Sequence, residues 1–204
     1  MYLRAYISGF FFVAIMFVAP TFSATITVTN TGDGVAGSLR AAINLANADA
    51  TLDTIEFEIP SSDPNCALVT GHGTVCTISL STQVDVVFPV VIDGFTQDGS
   101  SANTNPTTAG SNAVLLIELI SPNPPGSGNA GLVFGSNSSG STVRGLVMNR
   151  FANSPAIQLT GSDNNIIEGN YFGTDAKGTI SLANGEGVRI ASGADNNLIG
   201  GPLT

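Results

Sequence analysis

The chain contains one histidine, His72, flanked by Gly71 and Gly73. Imidazole is the side chain best suited to moving protons near neutral pH. In glycoside hydrolysis it would have to assist a pair of carboxylates flanking the bond to be cut. No two aspartates are adjacent anywhere in the sequence, and the nearby Asn103-Thr104-Asn105 lacks the acid such a site needs. A lyase would instead want calcium held by several carboxylates and an arginine acting as base. Its candidates are Asp163, Asp175 and Asp195 in turn-like stretches, with Arg144 and Arg189 in strand-like ones. Two aspartates and turn carbonyls make a weak site against the six to eight oxygens calcium takes, and aspartates favour turns regardless of metals. The sequence therefore assigns no catalytic, cofactor-binding or metal-binding residue, and calcium is the one cofactor it brings into consideration.

The elements that would position such residues are repetitive. Gly131-Leu-Val-Phe is followed by Ser141-Thr-Val-Arg-Gly145, Ala156-Ile-Gln-Leu by Asn164-Asn-Ile-Ile-Glu-Gly169, and Gly187-Val-Arg-Ile by Asn196-Asn-Leu-Ile-Gly-Gly201. Each copy reads as two short strands around a turn, and the anchors Val143, Ile167 and Ile199 lie 24 and then 32 residues apart. Periods of this size mark stacked units that cannot bury a face alone. Short β runs without intervening helices lead to an all-β fold, a right-handed parallel β-helix solenoid. The paired asparagines recur at matching places, where side-chain amides of successive copies would bond one another as a ladder.

Upstream of the repeats, Ala24 to Thr29 and Asp53 to Ile59 alternate apolar and polar residues as strands do. Val75 to Leu80, Val84 to Ile92 (interrupted by Pro89) and Ala113 to Ile120 are further strand candidates. One helix is expected, Ser38 to Ala48, with Ser38 as N-cap and Leu39, Ala42, Ile43 and Ala46 on one face. Its apolar face would cover the first strands as a short N-terminal cap. Residues 97–112 and 121–130 read as loops.

The first residues differ from the rest. Arg4 precedes an apolar run from Ala5 to Ala19 and a small-residue exit, the pattern of a secretory signal peptide. Residues 1–23 are assigned to that signal and 24–204 to one domain, with a cap at 24–60, irregular layers at 61–130 and regular repeats at 131–204. The last apolar run has no polar cap after it, so the chain reads as the opening portion of something longer or as a truncated copy, with a C-terminal edge prone to self-association. Secretion accounts for the cysteines: Cys66 and Cys76 are the only two, and an even, closely spaced pair in an oxidising compartment reads as a disulfide, here a staple on a turn.

Composition narrows the partners. All fifteen acidic residues and five of the six basic ones follow the signal, leaving about ten net negative charges. This excludes the basic footprint of a nucleic-acid binder and adsorption to an anionic membrane. Only a tenth of the residues are charged, and there are 24 glycines.

The segment Ile26-Thr-Val-Thr-Asn-Thr-Gly-Asp-Gly with Gly37-Ser-Leu-Arg-Ala-Ala-Ile-Asn-Leu-Ala-Asn47 resembles the CSLREA-type N-terminal segment of bacterial secreted and surface β-helix repeat proteins. Val91-Ile-Asp-Gly-Phe-Thr-Gln97 and Gly173-Thr-Asp-Ala-Lys-Gly-Thr179 look like interior repeats of the same family. Gly37 and Ala41 stand where that family has cysteine and glutamate, so only half of a capping box remains at Ser38. The resemblance implies location and architecture: a secreted or cell-surface structural or adhesive protein, with surface polysaccharide or another surface protein as partner. Gly71-His72-Gly73 also matches a short polygalacturonase motif, which makes a carbohydrate-active enzyme, pectinase-like lyase or hydrolase, the alternative. Protein recovered from the medium is expected to begin at Ala24 on N-terminal sequencing and to yield no free thiol under denaturing, non-reducing conditions; retention of Met1 to Ser23 with two reactive thiols would overturn the secretion argument.

Overall fold

The computed structural model describes residues 22–106, 108–122 and 129–201. The expected signal peptide, residues 1–23, lies outside the described residues except for Phe22 and Ser23. The chain builds β1 (Thr25–Val28), α1 (Leu39–Ala46), β2 (Asp53–Phe57), β3 (Cys66–Val69), β4 (Gly73–Ser79), β5 (Val84–Val86), β6 (Val90–Asp93) and β7 (Ile117–Ile120). The repeat region continues with β8 (Leu132–Phe134), β9 (Thr142–Arg144), β10 (Leu146–Asn149), β11 (Pro155–Thr160), β12 (Ile166–Glu168), β13 (Tyr171–Phe172), β14 (Glu186–Ala191) and β15 (Leu198–Ile199).

These strands fall into three flat sheets, two parallel and one mixed, and with the one α-helix among the described residues they overturn the expected right-handed parallel β-helix solenoid. The six-stranded sheet runs β1-β2-β6-β9-β12-β15, the five-stranded sheet β13-β10-β7-β4-β3, and the four-stranded sheet β14-β11-β8-β5. A solenoid repeats one unit from end to end, whereas here β3 and β4 form an antiparallel hairpin inside an otherwise parallel sheet. The expected content of a repeat is corrected too. The first two copies each supply three strands rather than two, because Gly145 and Gly169, at φ 74° and 60°, turn the chain into a further short strand, β10 and β13. Left-handed backbone of this kind is open to glycine at little cost.

The three sheets share one apolar core. Val28, Ile55, Ile92, Val143 and Ile167 line the six-stranded sheet's inner face, Ile78, Leu119 and Met148 the five-stranded sheet's, and Val84, Leu132, Phe134, Ile157 and Leu159 the four-stranded sheet's. Each side chain of this size stabilises by about 1.5–3 kcal/mol when withdrawn from water. A second cluster (Val75, Leu115, Leu116, Val147 and Ala176) packs separately, partly under the segment before β7. The helix forms as the sequence dictates. Ser38 accepts a hydrogen bond from the Ala41 N–H, and Leu39, Ala42, Ile43 and Ala46 are buried against β1, β2 and β5. Arg40 locks it in place, pairing with Asp33 at 2.6 Å and donating to the Thr82 and Gln83 carbonyls. Burial alone would raise the Asp33 pKa, but the bonds from Arg40 and Ser81 outweigh it and hold the carboxyl below its usual value.

Where the chain leaves a sheet, its backbone groups lose their strand partners, and side-chain amides replace them. Asn165, fully buried, accepts from the Ser141 N–H at 2.9 Å and donates to Asn197 Oδ1 at 2.8 Å and to the Ser162 carbonyl. The expected asparagine ladder is thus present between Asn165 and Asn197. Asn164 and Asn196 sit beside it at φ 56°, a left-handed conformation that asparagine tolerates. Asn170 spans the Leu146 N–H and Val143 carbonyl, and Asn184 the Phe151 N–H and Met148 carbonyl, in the same manner. Replacing Asn165 with alanine strands a buried N–H and the neighbouring amide. It should lower stability by about 2–3 kcal/mol in urea unfolding, whereas Asn137→Ala, at an exposed site, should change it by less than about 0.5 kcal/mol.

Candidate functional site

The disulfide joins Cys66 to Cys76, which face one another across the antiparallel pair β3–β4. It is therefore a rung between two strands and not, as expected, a staple on a turn. His72 lies in the turn of that hairpin, where its Nε2–H donates to the Leu115 carbonyl at 3.0 Å. That bond, with Lys177 Nζ donating to the Thr70 carbonyl, fastens the hairpin tip to its surroundings. Two of the three aspartates considered for calcium, Asp163 and Asp175, are occupied. Asp163 accepts from the Asp195 N–H at 2.7 Å. Asp175 accepts from the N–H groups of Thr179 and Ile180 in its own turn, bonds that hold its carboxyl below the usual value. Arg189 pairs with Glu186 three residues earlier on β14. The structure does not bring His72, Asp163, Asp175 and Asp195 together, and the described residues contain no group of three or more His, Cys, Asp or Glu placed to hold a metal.

Two arrangements were not expected. One is a row of charges across the six-stranded sheet, in which Glu56, Asp93, Arg144 and Glu168 occupy matching positions on β2, β6, β9 and β12. Each follows an inward apolar residue (Ile55, Ile92, Val143, Ile167), so strand alternation places all four on the opposite face. Arg144 Nη2 donates to Asp93 Oδ2 at 2.7 Å, and this bond, with the attraction of Asp93 and Glu168, raises the guanidinium pKa against its burial. Asp93 is 8% and Glu168 3% exposed, while Arg144 Nε and Glu168 Oε2 are buried with no hydrogen-bond partner among the described residues. A signal was present in the sequence: Ile92-Asp-Gly94, Val143-Arg-Gly145 and Ile167-Glu-Gly169 align as one column.

The other is an open cleft of about 910 Å³ between the end of β2 and the hairpin, lined by residues including Glu58, Ile59, Pro60, Gln97 and Asp98 on one side and Gly73, Thr74, Cys76 and Leu116 on the other. Its shape is set by Gln97, 6% exposed, whose amide bonds both the N–H and the carbonyl of Ile59 at 2.9 Å. Thr96 Oγ1 accepts from the Phe57 N–H alongside. The loop carrying Asp98 is thereby fixed beside Glu58. On the far wall Gly73 has φ 145°, and a Cβ there would lie 2.8 Å from a Leu116 methyl, so the wall requires glycine. The volume is within the range of small-ligand sites. Glu58 and Asp98 are exposed and accept no hydrogen bond or ion pair within the described chain, unlike the carboxylates of Asp33, Asp63, Asp93, Asp163 and Asp175. No motif in the sequence links Glu58 and Asp98; the β2–β6 pairing with the Gln97–Ile59 and Thr96–Phe57 bonds brings them to one cleft. The cleft offers acceptors for cations and hydroxyls but no nucleophile paired with a base.

No family model, no curated protein and no solved structure matches this chain. Among the described residues no helix is long and apolar enough to cross a membrane.

Replacing Arg144 with methionine removes the one cation of the charge row and leaves Asp93 and Glu168 facing each other across it. Breaking a fully buried pair costs about 3–5 kcal/mol; with the Arg144 side chain 34% exposed, roughly 2–3 kcal/mol is expected at pH 7. Urea unfolding of both proteins at pH 7 should show this difference.

Proposed function

We propose that this chain is a secreted or cell-surface structural protein with an adhesive role, and not an enzyme. One observation carries the reading: His72 and most of the aspartates that the sequence offers for chemistry are spent on holding the fold. His72 is bound to the Leu115 carbonyl, Asp163 to the Asp195 N–H, Asp175 to its own turn and Asp93 to Arg144. The Cys66–Cys76 disulfide is compatible with secretion, as is the apolar N-terminal run that precedes Pro20. The resemblance of Ile26 to Asn47 to CSLREA-type segments adds a surface location.

The test uses residues 24–204 produced with the disulfide intact. Labelled protein should be retained saturably on polysaccharide-coated surfaces while releasing neither reducing ends nor unsaturated uronates from pectin. Release that disappears in His72→Ala would overturn the proposal and establish the pectinase-like alternative, and absence of retention on every polysaccharide surface would remove the adhesive role.

A further inference from the structure

Three aspartates, Asp33, Asp93 and Asp98, and one asparagine, Asn184, are followed directly by glycine. Such pairs are chemically labile, because a backbone nitrogen with no Cβ beside it can approach the preceding side-chain carbonyl carbon. The structure ties down three of the four. Asp33 accepts bonds from Arg40 and Ser81. Asp93 is buried and accepts from Arg144 and the Phe95 N–H. The Asn184 amide is bonded at both ends, and the Gly185 N–H donates to the Phe151 carbonyl at 2.8 Å.

The pair Asp98–Gly99 is left free. Both residues are exposed. Among the described residues the Asp98 carboxylate accepts no bond or ion pair, and the Gly99 N–H donates none. They form the tip of a turn closed by the Ser100 N–H on the Gln97 carbonyl at 3.0 Å. Both flanks are anchored, Gln97 by its bonds to Ile59 and Ser100 by its hydroxyl on the Phe95 and Gln97 carbonyls.

We infer that Asp98–Gly99 is a site of spontaneous aspartyl isomerisation in the folded protein. The Gly99 nitrogen attacks Asp98 Cγ, and a carboxyl oxygen leaves as water, taking the N–H proton and the acid's own. Solvent water then opens the succinimide ring. Addition at the side-chain carbonyl restores aspartate, whereas addition at the backbone carbonyl leaves Gly99 joined through Cγ, an isoaspartate. Mass is unchanged overall, and nothing is oxidised or reduced. The main chain gains one carbon between two anchored residues, and the displaced carboxylate stays at the cleft that Asp98 and Gly99 line.

Residues 24–204, with the disulfide intact, should be incubated below the unfolding transition, peptide-mapped by mass spectrometry and assayed for isoaspartate by enzymatic methyl transfer. Isoaspartate should accumulate at Asp98, preceded there by a species lighter by one water, while Asp33, Asp93 and Asn184 stay unchanged. Asp98→Glu keeps the charge but would have to close a larger ring, so the signal should be lost. Asp98→Asn, whose amide leaves as ammonia, should reach the same mixture faster. Both variants change an exposed group, so their thermal unfolding should match the parent. In urea, where its bonds are gone, Asn184 should react as well. Reaction at Asp33, Asp93 or Asn184 of the folded chain as fast as at Asp98, isomerisation at Asp98 only after unfolding, a signal retained in Asp98→Glu, or an unreactive Asn184 in urea would each overturn the inference.

Discussion

The fold depends on satisfying backbone groups at the places where the chain leaves a sheet. Within a strand, each N–H and carbonyl finds its partner in the neighbouring strand. At the corners between sheets that pairing ends, close to an apolar interior, and an unpaired buried amide costs as much as a lost hydrogen bond. Asn165, Asn170, Asn184 and Gln97 resolve this by presenting a donor and an acceptor at once to a neighbouring stretch of chain. Serine and threonine do half of the same work, as Ser141 does for the Val90 N–H and Thr96 for the Phe57 N–H. The low lysine and glutamate content follows, since long charged side chains cannot perform this role in so little space.

Much of this was legible in the sequence, and the failures have identifiable causes. The helix was readable because capping and periodicity agree: Ser38 caps it and the four expected residues are the buried ones. Pro89 marked the break between β5 and β6. The asparagine ladder was readable because identical residues recur at one place in the repeat. The third strand of the first two copies was missed because Leu146–Asn149 and Tyr171–Phe172 follow a glycine that resembles the end of a unit. The step from repetition to a wound solenoid failed for a related reason: periodicity reports that units are equivalent, and sheet layout is decided by insertions such as the β3–β4 hairpin that the repeats do not contain.

The candidate sites divide along the same line. The charge row was within reach, since its members share one column of the aligned motifs. The cleft was not. Glu58 and Asp98 are forty residues apart, belong to no motif, and share the cleft because β2 pairs with β6 and a buried glutamine fixes the following loop against the end of β2. His72, the residue with the most recognisable chemistry, is bonded to the Leu115 carbonyl, while Glu58 and Asp98 carry no signature in the sequence at all.

The charge row also bears on how the chain finds its strand order. Strands of similar sequence are nearly interchangeable as neighbours, so a sheet assembled from them risks skipping a member. Across β6, β9 and β12 the signs alternate, Asp93, Arg144, Glu168. Were β12 to dock on β6 before β9 arrived, two carboxylates would face each other directly, and like charges in that position repel. Glu56 on β2 already faces Asp93, so β6 bears one like-charged neighbour, and Arg144 on its other side supplies the opposite charge that a second carboxylate could not.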